Sequence, residues 1–185
     1  MSETALILID IQYDYFEGGR MTLPNIDAVA ENASQLLTDF RQRGAPVFHI
    51  RHINSSTEAG FFRPDSEGSK IHPSVAPLPS EIVITKNRPS AFVSTDLAER
   101  LQVAKITKLV ICGAMSQMCV DATARAAVDM GFAVIVVEDA CAAANISFDG
   151  IDVPATQVHA SIMAPLSAAY AKVSKTRDIV ERDVA

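Results

Sequence analysis

The chain is 185 residues long, 49% hydrophobic and 21% charged, with a formal net charge of −6; that is enough apolar material for one substantial core, with no composition break to mark a second domain within residues 1–185. The acidic balance excludes a broad nucleic-acid footprint, which needs Lys and Arg clustered against phosphates, and it accommodates a small neutral or cationic partner more easily. The three cysteines lack metal-type spacing, no basic stretch and export-type apolar run opens the sequence, and no apolar run is long enough to cross a bilayer, so a cytoplasmic protein without a membrane anchor is expected.

Residues 5–9 form a continuous apolar run that ends at Asp10. Comparable runs recur at 46–50, 81–84, 108–112, 133–137 and, less sharply, 171–173. Runs without polar alternation predict strands buried on both faces, as in a parallel sheet covered by helices. Helical patterns lie between them. Over 27–43, Val29, Ala33, Leu36, Leu37 and Phe40 recur at helical spacing, and Gly44-Ala45-Pro46 supplies the stop. Residues 95–103 predict a shorter helix with Thr95 as N-cap. Residues 119–130 place Cys119, Thr123, Ala126 and Met130 on one stripe of an alanine-rich helix ended by Gly131, and 155–169 predict a last helix interrupted or kinked near Pro165. Strands alternating with helices imply a doubly wound α/β layer structure. Two stretches, 54–80 and 145–154, lack periodicity; the first carries Phe61-Phe62 and reads either as a binding loop or lid or as a surface excursion.

In open α/β sheets, ligands bind beyond the carboxyl ends of the strands. Asp10 ends the first strand, Lys86 follows the third by two residues, and Cys119 opens the helix after the fourth. Unpaired N–H groups and partial positive charge at a helix start lower a thiol's pKa from about 8.5 toward roughly 3.5 to 7.5, so a thiolate nucleophile is expected at Cys119. A lone cysteine can equally be core packing, and a lone carboxylate or ammonium a solvated loop group. It is the address shared by all three that points to chemistry. Gln12, two residues after Asp10, either hydrogen-bonds a substrate or caps a turn; Phe16, Phe61, Phe92 and Met118 are either an apolar pocket wall or simple packing.

These residues resemble the isochorismatase-like cysteine hydrolases, a family that includes nicotinamidases and carbamoylsarcosine amidohydrolases. The resemblance covers nearly the whole chain. It rests on Leu8-Ile9-Asp10-Ile11-Gln12, on Lys86 ahead of Pro89-Ser90-Ala91-Phe92, and on Gly113-Ala114-Met115-Ser116-Gln117-Met118-Cys119-Val120 leading into Ala122-Thr123-Ala124-Arg125-Ala126-Ala127. It implies a three-layer α/β/α domain with a six-stranded, mainly parallel sheet and an Asp-Lys-Cys triad at Asp10, Lys86 and Cys119. It also implies oxyanion donors from the backbone N–H groups of Met115 and Cys119, a cis peptide between Ala114 and Met115, Phe92 beside the lysine, and a homodimer or homotetramer. The implied reaction is hydrolysis of a C–N bond in a small amide, imide or ureide through a thioester. Isochorismate cleavage, a vinyl ether hydrolysis, needs no cysteine nucleophile; that activity and a non-catalytic, small-molecule-binding member of the fold are the alternatives.

Nicotinamidases of this family hold a metal through an Asp-x-His pair after the second strand plus another histidine. Here the stretch reads His49-Ile50-Arg51-His52-Ile53, without an acid, and residues three apart in a strand point to opposite faces, so no required metal and no cofactor are expected. Phosphoryl chemistry of the receiver or haloacid-dehalogenase kind needs a second acid near Asp10, where Gln12 stands. Neither a G-x-G-x-x-G nor a Walker A sequence follows any strand.

Overall fold

The computed structural model describes residues 3–181. In chain order its elements are β1 (Thr4–Ile9), α1 (Ile26–Gln42), β2 (Val47–His52), β3 (Ile82–Lys86), α2 (Leu97–Val103), β4 (Lys108–Ala114), α3 (Asp121–Asp129), β5 (Ala133–Ala142), β6 (Ile146–Phe148), β7 (Ile151–Val153), α4 (Ala155–Ala169), β8 (Lys172–Ser174) and α5 (Thr176–Val180). Six of the strands make one sheet, in the order β3-β2-β1-β4-β5-β8, with every neighbouring pair parallel. Residues 5–9 of β1 are all buried, as their unbroken apolar run requires of a central strand covered on both faces. The apolar stripe of α1 (Val29, Ala33, Leu36, Leu37 and Phe40) is buried, and α1 packs against β5 and α5.

The doubly wound, six-stranded expectation therefore holds, with differences in detail. β5 runs five residues past the apolar stretch, through Glu138 and Asp139, because those polar residues are bonded sideways. The Asp139 carboxylate accepts from Thr176 N and Oγ1, each at 2.8 Å, and its carbonyl accepts from Asn32 Nδ2 at 2.6 Å. Lys86 is the last residue of β3 rather than a residue beyond it. α4 continues unbroken through Pro165. α2 starts at Leu97, whose N–H donates to Thr95 Oγ1 at 3.4 Å. Residues 145–154 contain the antiparallel hairpin β6–β7, turned by Asp149 (φ 50°) and Gly150 (φ 76°), the two successive positive φ values that Asp-Gly favours in a two-residue hairpin.

Candidate active site

The strand order reverses beside β1: β2 and β3 lie on one side, and the chain then crosses to β4 and β5 on the other. A crevice forms at such a reversal, at the carboxyl ends of the strands. Asp10 follows β1 directly, in the left-handed region (φ 51°), with its N–H donated to Ile50 O at 3.0 Å. That conformation is unfavourable for an L-residue by about 1–2 kcal/mol, so the neighbouring strand has to hold it. On the β4 side, Gly113 has φ 126°, and a Cβ there would overlap the Ile9 carbonyl, so β4 can lie against β1 at this level only with glycine. The Ala114–Met115 peptide that follows is cis. Ser116–Val120 then form a π turn, in which the N–H groups of Met118 and Val120 both donate to Met115 O, and α3 begins only at Asp121. Cys119 is thus presented from a wide turn and not from the first turn of a regular helix.

Lys86 enters from the edge strand β3, two strands from β1, a gap of roughly 9–10 Å that only a long side chain can span. Its Nζ donates to Asp10 Oδ2 at 2.7 Å, to His52 Nδ1 at 3.0 Å and to Cys119 Sγ at 3.2 Å. An ammonium has three protons, and here each has an acceptor. Because it can only donate, His52 Nδ1 must accept, and the imidazole proton sits on Nε2. The Lys86 and Asp10 side chains are both fully buried. Asp10 Oδ1 is buried without a hydrogen-bond partner among the described residues.

The charges of this cluster differ from the sequence expectation in one respect. Burial pushes the Cys119 thiol up, the Asp10 carboxylate adds to that, and the opposing pull of Lys86 is smaller. The sulfur is thus pulled both ways, and the helix start on which the sequence expectation of a thiolate rests lies two residues further on, at Asp121. Burial works against the Lys86 ammonium, but Asp10 and Cys119 outweigh it and raise its pKa. Burial and then Lys86 lower His52, which stays neutral.

The remaining expected residues divide. Gln12 is fully buried, and its Nε2 donates to His52 O (2.9 Å) and Ser69 O (2.8 Å), while its Oε1 accepts from His52 N (2.8 Å). Its amide is spent on fastening backbone, which corrects the substrate-contact alternative. Phe16 stacks on His72 at 3.7 Å, and Phe92 is buried against Phe132 at 6.2 Å, so both act as packing. Phe61 belongs to an aromatic cluster with Tyr15 and Phe62, in which Phe62 lies 5.9 Å from the His52 ring. Met118 is 44% exposed on the π turn, one residue before the thiol. Residues 54–80 are laid down over the β1 end: Tyr13 N donates to Lys70 O, His72 N to Ile11 O, and Phe62 N to Asp14 Oδ2 at 2.6 Å. His52, Tyr15 and Phe62 were not singled out as site residues from the sequence. Tyr15 lies close enough for Asp10 and Cys119 to reinforce burial in raising its phenol pKa.

A metal of the nicotinamidase kind does not fit these residues. Asp10, His52 and Cys119 bring ligand-type atoms within 4.8 Å of one another, but the Lys86 ammonium already sits among them and repels a second cation. His49 points elsewhere, to Glu81 at 2.9 Å, and His72 Nδ1 pairs with Ser74 Oγ. A surface cavity of about 780 Å³ includes none of the three clustered residues. It lies by the starts of β2 and β3, where Arg41 is already paired with Glu81 and Arg100 with Asp96.

Comparison with known proteins points to one family. The isochorismatase domain model matches residues 4–176. The chain is 50% identical to the uncharacterized isochorismatase family protein YddQ of Bacillus subtilis (strain 168), over 94% of this chain and 96% of that one. It is 34% identical to a streptothricin hydrolase of Streptomyces noursei, over 77% of this chain and 50% of that one. A crystal structure of a candidate isochorismatase hydrolase from Oleispira antarctica superposes with a TM-score of 0.93 at 48% identity, covering 96% of each chain. With the family model, the fold and the sequence likeness in agreement over nearly its full length, the chain belongs to the isochorismatase family of hydrolases.

Proposed function

We propose that this hydrolase is a cysteine-dependent amidohydrolase that cleaves a C–N bond of a small amide, imide or ureide. The observation that carries the reading is the buried Lys86 ammonium bonded at once to the Asp10 carboxylate and the Cys119 sulfur. Asp10 takes the thiol proton as Sγ attacks the carbonyl carbon, Lys86 steadies the developing thiolate, and the backbone N–H groups of Met115 and Cys119 receive the oxyanion. Asp10 then returns the proton to the departing nitrogen as the C–N bond breaks. In the second half, water loses a proton to Asp10, adds to the thioester carbon and releases the acid, and Sγ is reprotonated. Met118, exposed on the π turn beside the sulfur, and Phe61 offer apolar surface suited to an uncharged substrate. The streptothricin hydrolase relative supports hydrolysis as the reaction class.

The test is an ammonia-release screen over small amides and ureides, with mass spectrometry of the trapped acyl-enzyme. Cys119→Ala is expected to abolish both turnover and the acyl adduct while leaving the fold intact; undiminished turnover would reject covalent catalysis. The reading also takes residues 1–185 as one domain, a cytoplasmic location in keeping with three free cysteines, and self-association. Among the described residues no helix is long and apolar enough to cross a membrane. Self-association is supported by the β6–β7 hairpin, which exposes Ile146, Phe148 (82%) and Ile151. A solution mass equal to one 19.9 kDa chain would refute it.

A further inference from the structure

Behind the turn that carries Cys119 stands a second polar cluster that the chemistry above does not use. Ser116, the first residue of the π turn, is fully buried, and its Oγ lies 2.9 Å from Nδ1 of His159 on α4. The opposite ring nitrogen, Nε2, faces the Glu138 carboxylate of β5 at 3.7 Å, and Lys175 Nζ lies 3.8 Å from the other Glu138 oxygen. Asp139 and Cys141 line the same 410 Å³ cavity as His159, and Lys86 is not among its lining residues. The Asp139 carboxylate is occupied by Thr176. A carboxylate opposite Nε2 favours the tautomer protonated there, so Nδ1 accepts and the Ser116 hydroxyl donates. Burial keeps His159 neutral against the pull of Glu138. Ser116 is closed to solvent and so cannot be a second nucleophile. What it can do is hold the turn.

We propose that His159 is a positioning residue: by gripping the Ser116 hydroxyl it fixes the Met115–Cys119 turn, so that the N–H groups of Met115 and Cys119 converge on the forming oxyanion. The proposal rests on the amidohydrolase reading above. Ser116 directly follows Met115, and the turn's own bonds, from Met118 and Val120 to Met115 O, tie the turn only to itself. The Ser116–His159 contact links it to α4, and through Glu138 to β5. Oxyanion donors act only when placed to within a fraction of an ångström, and a loosened turn forfeits that placement while the thiol remains chemically competent.

The test compares two reactions of the same sulfur in the full-length protein. Acetylation by p-nitrophenyl acetate passes through an oxyanion; disulfide formation with methyl methanethiosulfonate, which expels methanesulfinate, attacks sulfur and forms none. Peptide mapping assigns both to Cys119. His159→Ala is expected to slow acetylation about tenfold to a hundredfold with the thiosulfonate rate unchanged. His159→Asn, whose Oδ1 replaces the Nδ1 acceptor, should recover most of the loss. Ser116→Ala should match His159→Ala, and the double variant should be no worse than either. An unchanged ratio of the two rates in His159→Ala, or an equal fall in both, overturns the proposal. Wild-type protein that is not acetylated at Cys119 sinks the hydrolase reading itself and takes this inference with it, a result distinct from a normal wild type with an indifferent His159.

Discussion

At the scale of single residues, the proposed chemistry asks the most of Asp10. Its Oδ2 is tied to Lys86 and its Oδ1 is open, which suits a group that holds its cation while a proton comes and goes. Asp10→Asn is expected to have two effects of opposite apparent sense. Removing the anion lets the Cys119 thiol ionise more readily, seen as thiolate ultraviolet absorbance at lower pH, yet amide turnover falls about 10²- to 10⁴-fold for want of a base and acid. A fall in turnover without the easier ionisation would mean that the carboxylate does not act on the sulfur. Asp10 stands out in the sequence because an apolar run stops there, and Cys119 because it opens a helical pattern after another such run. The state of the sulfur was not legible there, since it depends on burial and on a carboxylate over a hundred positions away. His52 was hidden for a related reason: its partner Lys86 comes from another strand, and no local spacing signals that contact.

At the scale of elements, strands and long helices could be read because burial on two faces leaves unbroken apolar runs and a covering helix leaves a periodic stripe. The stretch 54–80 could not, because side chains and not periodicity hold it in place. Asp14 is buried, and its two oxygens accept from Arg20 N at 3.1 Å and Phe62 N at 2.6 Å, while Gln12 fastens Ser69. Gly68 lies so close that a Cβ there would overlap the Asp14 carboxylate. Asp14→Ala leaves the buried Phe62 N–H unpaired, a loss of about 1–3 kcal/mol that falls on this segment and not on the sheet. Limited proteolysis should then cut within 54–80 roughly ten- to a hundredfold faster, with the rest of the chain resistant. Cleavage at the wild-type rate would show that the segment is anchored elsewhere. The hairpin β6–β7 was in principle visible, as Asp149-Gly150 between Phe148 and Ile151 is a turn signal; three-residue strands are simply too short to establish alternation.

Across the whole molecule, all four histidines share one bias. His49, His52, His72 and His159 are each lowered from 6.5, with burial the largest cause in every case. The unfolded chain therefore takes up protons below about pH 6.5 that the native protein does not. Stability is full above that pH and declines as the pH falls through the lowered native values. Glu81 adds a second, more acidic window. Burial would raise it, but Arg41, the Leu78 N–H and His49 outweigh burial and hold it at about 2 against 4.5, so its contribution is present above 4.5 and lost toward 2. Thermal melts should give a midpoint that is level above about pH 7 and drops steadily below about 6.5; a midpoint that rose on acidification from 7 to about 5.5 would contradict this.

The charges at the crevice cancel one another out of reach of water. Dissolved ions screen exposed charges over a Debye length of about 10 Å at 0.1 M, but they act little on a buried cation and anion 2.7 Å apart. On the amidohydrolase reading, encounter with an uncharged substrate is expected to draw little on electrostatic steering, so turnover measured in dilute buffer and in concentrated sodium chloride should agree until salt begins to act on the fold itself.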